Sequence, residues 1–186
     1  LLCALVGCAG PKPVVPAPYT LMISADAELN RDRQQRPTPV QVRLYELKSP
    51  ATFNSGDFFT LYEKDDQFLG TELAFKEQIT LQPGQTVTLV RKVKPEAQLL
   101  GVFVAFRDVD KSVWRATTPL PQPKELGRFA LLSPSFEAAV VNIKIGPNMV
   151  SASTTAGDVP VIPASLGAAR IPSVSLPGGI SLPGGK

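Results

Sequence analysis

The chain has 186 residues, a formal net charge of +3 and 44% hydrophobic residues, and it contains no histidine. This length fits one domain of ordinary size with additional chain, and the hydrophobic content is sufficient for a core. The composition excludes His-based triads and His metal ligands, and because Cys3 and Cys8 lie at the extreme N-terminus it also excludes a thiolate site within the folded part.

The first ten residues form an apolar run that is too short to span a bilayer, which requires ~20 residues. The run is typical of the end of a signal peptide, so we interpret residues 1–7 as a signal-peptide remnant. Leu5-Val6-Gly7-Cys8 resembles a bacterial lipobox, which predicts lipidation of Cys8 after cleavage. Ala9 in the next position resembles the outer-membrane sorting signal of Gram-negative lipoproteins. An accidental cysteine in an ordinary secretory signal, or a buried N-terminal strand, is the alternative.

Residues 8–18 contain four prolines and are predicted to form an extended tether. A first strand is predicted over residues 19–25, followed by a long polar loop over residues 26–39 that closes with two prolines. A second strand over residues 40–47 is indicated by the alternation of apolar and polar side chains.

A small helical insertion is predicted at about residues 53–75. Phe58, Leu61 and Tyr62 recur at helical spacing, and a second short helical turn is expected to begin near Asp65. The adjacent carboxylates Asp65 and Asp66 are expected to cap or to be solvated rather than to catalyse, since nothing indicates a cleft between two opposed acids.

Strands resume after the turn signal Gln82-Pro83-Gly84-Gln85. They are predicted over residues 86–93, 99–107, 112–117 and 139–145, and the strand at 99–107 is expected to be covered on both faces. Several short strands with one helical insertion predict a mainly β protein, a two-layer β-sandwich over residues 19–150.

Residues 151–186 have few charges, no aromatic residue and a repeated Ser-Leu-Pro-Gly-Gly motif. This composition predicts a flexible tail, because it buries too little apolar surface to offset the entropy of ordering. A partner-binding or wall-spanning segment is the alternative.

The loop over residues 26–39 is the candidate recognition surface, because long loops held by a rigid sandwich often carry binding. It combines arginine forks with one apolar residue, a mixture typical of protein-binding surfaces. The predicted contact residues are Glu28, Leu29, Asn30, Arg31, Asp32, Arg33, Gln34, Gln35 and Arg36. A merely solvated loop is the alternative. Nucleic acid is not an expected partner, since Asp32 interrupts the only arginine cluster.

Several ordered motifs resemble those of the TssJ family, the outer-membrane lipoproteins of type VI secretion systems. The likeness covers about residues 1–146 and departs in the tail. Besides the lipobox, the motifs are Ser24-Ala25-Asp26-Ala27-Glu28-Leu29-Asn30, Arg36-Pro37-Thr38-Pro39-Val40-Gln41-Val42-Arg43-Leu44-Tyr45-Glu46-Leu47-Lys48, Asp57-Phe58-Phe59-Thr60-Leu61, Leu81-Gln82-Pro83-Gly84, Val104-Ala105-Phe106-Arg107 and Trp114-Arg115.

The resemblance implies a transthyretin-like sandwich with a small helical addition and no enzymatic activity. No cofactor or metal is expected from the residues present. It further implies a periplasm-facing protein, anchored in the outer membrane by lipid, that binds the periplasmic C-terminal region of the inner-membrane protein TssM. In the family the loop between the first two strands makes this contact, which corresponds here to residues 26–39. A lipoprotein that binds a small ligand or glycan in a sandwich pocket is the alternative, although no small-molecule substrate is expected.

Overall fold

The computed structural model describes residues 14–122, 124–125 and 139–156. The strands are β1 Val14–Val15, β2 Pro18–Ala25, β3 Val40–Leu47, β4 Leu73–Leu81, β5 Thr86–Lys92, β6 Leu99–Val104, β7 Arg115–Pro119, β8 Lys124–Glu125, β9 Ala139–Ile145 and β10 Val150–Ala156. The helices are α1 Ala51–Ser55 and α2 Phe58–Leu69, and 3₁₀ turns follow at Gly70–Glu72 and Val109–Lys111.

The eight longer strands form two four-stranded sheets, and β1 pairs separately with β8. The first sheet has the order β10-β9-β2-β5 and the second sheet the order β4-β3-β6-β7. Within both sheets neighbouring strands are antiparallel, except that β2 and β9 run parallel. The predicted mainly β sandwich with a small helical part is confirmed.

The main core lies between the two sheets. Alternate residues of β9, namely Ala139, Val141, Ile143 and Ile145, are buried, as their period of two predicts. They pack with the inward residues of β3 and β6, among them Val42 and Val102, in one cluster. Burial of this apolar surface supplies the main driving force for assembling the sheets.

A second core lies on the outer face of the second sheet, where α1 and α2 cover it. Tyr45 from β3 and Phe103 from β6 are fully buried there against Phe53 and Leu61 from the helices. β6 is therefore covered on both faces, which is why all six of its residues are buried. The expectation from its near-continuous apolar sequence is confirmed.

An ion cluster around the buried Asp65 links α2 to the second sheet. The Asp65 carboxylate accepts a hydrogen bond from the Tyr45 hydroxyl at 2.9 Å and from Arg43 Nη1 at 3.2 Å, and Lys76 Nζ lies 3.3 Å away. Burial raises the pKa of Asp65, but the Tyr45 hydrogen bond and the charges of Arg43 and Lys76 outweigh it and hold that pKa below its ordinary value. The expectation that Asp65 is merely capping or solvated is wrong, whereas Asp66 is exposed.

The predicted helical region extends too far. Helix α2 has a kink at Lys64, one residue before the predicted second turn, and the chain becomes strand β4 at Leu73. The sequence prediction missed β4 because Lys76, Glu77 and Gln78 stand at its centre and weaken the alternation. β4 is an edge strand, so these side chains reach solvent or ion-pair partners.

Other predicted boundaries shift by a few residues. β6 ends at Val104 rather than 107, and β7 occupies Arg115–Pro119 rather than 112–117. β10 extends past the predicted domain end at 150, so the predicted tail begins with a strand, and the end of the predicted tether already belongs to β1 and β2.

The predicted signal-peptide remnant, Cys8 and the tail from residue 157 onward lie outside the described residues. Among the residues that the structure does describe, no helix is both long enough and apolar enough to cross a membrane.

Replacing Asp65 by Asn is expected to lower the free energy of unfolding at neutral pH by about 2 kcal/mol, because it leaves the partly buried cations of Arg43 and Lys76 without this carboxylate. Asp66→Asn is the matched control and is expected to cost at most about 0.5 kcal/mol, because this carboxylate is exposed. Urea unfolding of both variants measures the difference.

The effect of Asp65→Asn is expected to depend on pH. The pKa of Asp65 is lower in the folded state than in the unfolded state, where it is about 3.9. The stability that the Asp65 carboxylate contributes is therefore fully present above the unfolded-state pKa and is lost as the pH falls through the folded-state pKa. The stability difference between wild type and variant should therefore shrink on acidification. Equal costs for the two Asp→Asn substitutions, or a gap independent of pH, would contradict this role.

Candidate functional site

The segments that connect the strands lie at two opposite ends of the sandwich. Residues 14–18 bring the chain in at one end, which we call the tether end. At the other, which we call the loop end, lie the loop 26–39, the turn 82–85, the connection 105–114 and the turn 146–149. This follows from the register, since the last residue of β2 pairs with the last residue of β9, and β3 begins opposite the end of β4.

The base of the loop 26–39 is part of the core. The Leu29 side chain is fully buried in the cluster between the sheets, and the Leu29 carbonyl accepts the Thr38 N–H at 3.0 Å. Leu29 is therefore not the exposed apolar anchor that the sequence suggested, because its side chain packs inside the domain.

Asn30 holds the loop in one conformation. Its backbone is left-handed, with φ of 49°, a conformation that Asn tolerates better than most residues. The buried side chain donates to Thr38 Oγ1 at 3.2 Å and to the Pro39 carbonyl at 2.9 Å, and it accepts from the Arg107 N–H at 2.9 Å. The Asn30 N–H donates to the Pro147 carbonyl at 3.0 Å. Asn30 thus joins three connections of the loop end.

Residues 31–36 form the tip of the loop, closed by Asp32. The Asp32 carboxylate accepts the N–H groups of Gln34 and Arg36 at 2.8 and 2.9 Å and the Arg36 Nε at 2.8 Å. These hydrogen bonds lower the pKa of Asp32 below its ordinary value, and the bond from the Arg36 backbone N–H has the largest effect. Asp32 is thus occupied within the turn, and its role is to shape the tip.

The remaining tip side chains point into solvent. Arg31, Arg33, Gln34, Gln35 and Arg36 are exposed, and so is Glu28 before them. Arg31 pairs with Glu28, and Arg36 pairs with Asp32. Arg33 has no ion-pair partner among the residues that the structure describes. Of the nine predicted contact residues, Leu29 and Asn30 are structural, Asp32 shapes the turn, and six are available on the surface.

Two adjoining open clefts separate the tip from the neighbouring connections. The larger, of about 550 Å³, is the arginine cleft, and it is lined by Arg31, Asp32, Arg33, Gln35, Arg107 and Asp108. The smaller, of about 310 Å³, shares Arg31, Gln35 and Asp108 and reaches Phe106, Lys111 and Asn148. Both clefts are open to solvent and contain charged side chains, an arrangement suited to polar contacts with another surface rather than to enclosing a substrate.

Sequence reasoning missed the part of this site that comes from other connections. The sequence places Arg107 at the end of the predicted strand 99–107, and nothing in it marks Asp108, Lys111 or Asn148 as binding residues. In the structure, the connection between antiparallel β6 and β7 contains the 3₁₀ turn Val109–Lys111. The pairing of β3 with β6 brings Arg107, Asp108 and Lys111 toward the tip, and the pairing of β2 with β9, more than a hundred residues apart, brings Asn148. No local pattern reveals either pairing.

A small β-sandwich that presents a pinned polar loop and adjoining clefts at one end has the architecture of a binding module. The model of one family, described as "Type VI secretion lipoprotein, VasD, EvfM, TssJ, VC_A0113", matches residues 17–145. The chain belongs to this family of type VI secretion lipoproteins. A comparison with curated proteins found no match.

Solved structures agree with this assignment. Serratia marcescens Lip, described as a membrane-bound component of the type VI secretion system, has a TM-score of 0.63 at 29% identity, over 74% of this chain and 96% of its own. TssJ1 of Pseudomonas aeruginosa, a T6SS lipoprotein, has the same TM-score at 24% identity, over 77% and 100%. A chain in a structure described as the TssM C-terminal domain from EAEC has a TM-score of 0.51 at 28% identity, over 70% and 96%.

Asn30→Gly is expected to destabilise the domain by about 2 kcal/mol, because it keeps the left-handed backbone free of strain but removes three side-chain hydrogen bonds. Gln35→Gly is the matched control, since Gln35 also has a positive φ, of 63°, but its side chain is exposed. The control is expected to change stability by no more than about 0.5 kcal/mol. Thermal or urea unfolding gives the values.

Hydrogen exchange locates the effect. The amides of Thr38 and Arg107 should exchange faster in Asn30→Gly and remain protected in Gln35→Gly, because the Asn30 side chain accepts the Arg107 N–H and donates to Thr38 Oγ1, whereas the Gln35 side chain is exposed. Similar exchange in both variants would show that the loop is held by other contacts.

Proposed function

We propose that the protein is a lipoprotein of the outer membrane, anchored through Cys8, that faces the periplasm and binds the periplasmic C-terminal region of a TssM-like inner-membrane protein. The contact is made by the tip of the loop 26–39. The observation that carries the proposal is at the base of this loop, where the hydrogen bonds of the Asn30 side chain hold an exposed tip in place. The role is docking rather than catalysis.

A pinned loop suits binding for an energetic reason. Ordering a free loop of this length on contact with a partner costs part of the binding free energy, and a loop that is already ordered avoids that cost. Asp32 removes one further source of disorder by closing the tip through its hydrogen bonds to Gln34 and Arg36. The exposed arginines then lie where their planar donors reach a partner.

One chain that resembles this protein belongs to a solved structure described as the TssM C-terminal domain from EAEC. This likeness supports a TssM-like protein as the partner. The alternative of a small-ligand or glycan pocket requires a concave aromatic lining. The two clefts of the loop end are open and lined mainly by charged and amide side chains, and they favour a protein partner over that alternative.

The loop contact is tested by replacing Arg33, Gln34 and Gln35 with Ser-Gly-Gly. The replacement removes three tip side chains but keeps the backbone N–H groups that Asp32 binds. The affinity for the purified periplasmic C-terminal region of TssM from the same secretion system is expected to fall by at least about tenfold, since a few central side chains dominate most interfaces. Calorimetric titration or a pull-down measures it.

The matched control places the same Ser-Gly-Gly at Lys94, Pro95 and Glu96, an exposed loop at the tether end. This variant should bind as tightly as wild type. Unchanged binding of the tip variant, with its fold verified by thermal unfolding, would refute the loop assignment, and loss of binding by both variants would place the contact elsewhere.

The anchor is tested with the two cysteines of the chain. In the producing bacterium, Cys8→Ser is expected to move the protein from the outer-membrane fraction to the soluble periplasmic fraction, because the acyl chains supply the membrane affinity. Cys3→Ser is the control and should leave fractionation unchanged. Membrane fractionation of Cys8→Ser, or an unmodified Cys8 in the mass spectrum of the membrane-bound protein, would contradict the anchor.

A further inference from the structure

The arginine cleft is built from two connections that hydrogen bonds hold against each other. Arg107 is tied to the loop by its N–H, bound to Asn30, and by its Nε, which donates to Thr38 Oγ1 at 3.2 Å. In the adjoining smaller cleft, Asn148 Nδ2 donates to the Lys111 carbonyl at 2.9 Å. Hydrogen bonds within the chain therefore hold the walls of both clefts before any partner binds.

The charges in the cleft do not cancel. Both of its carboxylates are engaged, since Asp32 pairs with Arg36 and Asp108 pairs with Lys111 at 3.3 Å. Arg33 and Arg107 are exposed and have no carboxylate partner in the described part of the chain. Two guanidinium groups that share a cleft without carboxylate partners attract carboxylates from outside, which they can bind through two parallel hydrogen bonds.

An exposed apolar pair lies beside the smaller cleft. Val113 and Met149 form an isolated parallel bridge and are 54% and 51% exposed. They follow Lys111 and Asn148, two residues of that cleft. A partner segment that enters the arginine cleft with an acidic side chain would therefore find an apolar contact along the same end of the sandwich.

We propose that the arginine cleft binds an acidic segment of the partner protein, whose carboxylates pair with Arg33 and Arg107 and whose adjacent apolar side chain packs on Val113 and Met149. This inference rests on the proposed docking function and specifies the chemistry of the partner. A protein segment fits better than an anionic membrane, because a flat anionic surface would also meet Asp32 and Asp108.

The test uses the purified periplasmic C-terminal region of TssM and the variant Arg33→Glu with Arg107→Glu. Affinity is expected to fall by about a hundredfold, because two attractive pairs become repulsive. Lys92→Glu with Lys144→Glu on the outer face of the first sheet is the matched control, since it makes the same change in net charge at exposed positions. Raising the salt from about 50 mM to about 500 mM should weaken wild-type binding more than that of Arg33→Gln with Arg107→Gln.

Replacing Arg107 also removes its hydrogen bond to Thr38. Variants that keep Arg107 therefore separate the effect of charge from a disturbance of the loop. Arg33→Glu alone removes no described contact and should weaken binding by at least about fivefold, whereas Arg33→Lys should retain most of the affinity. Val113→Ser with Met149→Ser is expected to weaken binding without changing its salt dependence.

The outcomes separate this inference from the proposed function. If the Arg→Glu variants bind like the Lys→Glu control while the Ser-Gly-Gly tip variant does not bind, the acidic-segment inference is wrong and the docking loop stands. If all of them bind normally, both proposals fail. If the Arg→Glu variants instead lose binding to vesicles containing phosphatidylglycerol and keep binding to TssM, the cleft faces a membrane and the inference is overturned.

Discussion

The hydrogen bonds of one buried amide, the side chain of Asn30, determine the arrangement of the loop end. They join the loop 26–39 to the connection after β6, and the backbone N–H of Asn30 adds the turn after β9. Together with the burial of Leu29, these hydrogen bonds distinguish the loop from an ordinary solvated segment. Because the Asn30 amide is buried and bonds only within the chain, each lost hydrogen bond would leave an unpaired polar group. This cost explains how one residue helps to hold three segments together.

A second constraint acts at the opposite face of the second sheet. α1 and α2 close the outer side of β3 and β6, and Asp65 links α2 to both β3 and β4 by charge. The second sheet therefore lies between two apolar layers, whereas Met22 and Val90 on the outer face of the first sheet are exposed. The connection 105–114 follows directly after β6, the strand that is buried on both faces.

The parts that the sequence predicted are those whose signal is local. β3 and β9 could be placed to the residue because alternating apolar side chains and flanking prolines mark them. β4 could not, because at an edge strand the alternation is weakened by charged side chains. The burial of Leu29 could not be predicted from composition either. It depends on where the opposite sheet lies, as does the meeting of Arg33 with Arg107, which are far apart in sequence.

The direction of β2 relates the anchor to the recognition surface. β2 has 8 residues, which at ~3.3 Å per residue carry the chain roughly 26 Å from the tether end to the loop end. In the proposed arrangement, lipid at Cys8 draws the tether end toward the outer membrane, so the arginine cleft faces away from it, into the periplasm. An inner-membrane partner approaches from that side. Within the described residues, the path from the tether end to the proposed binding surface therefore runs along β2, a central strand of the first sheet.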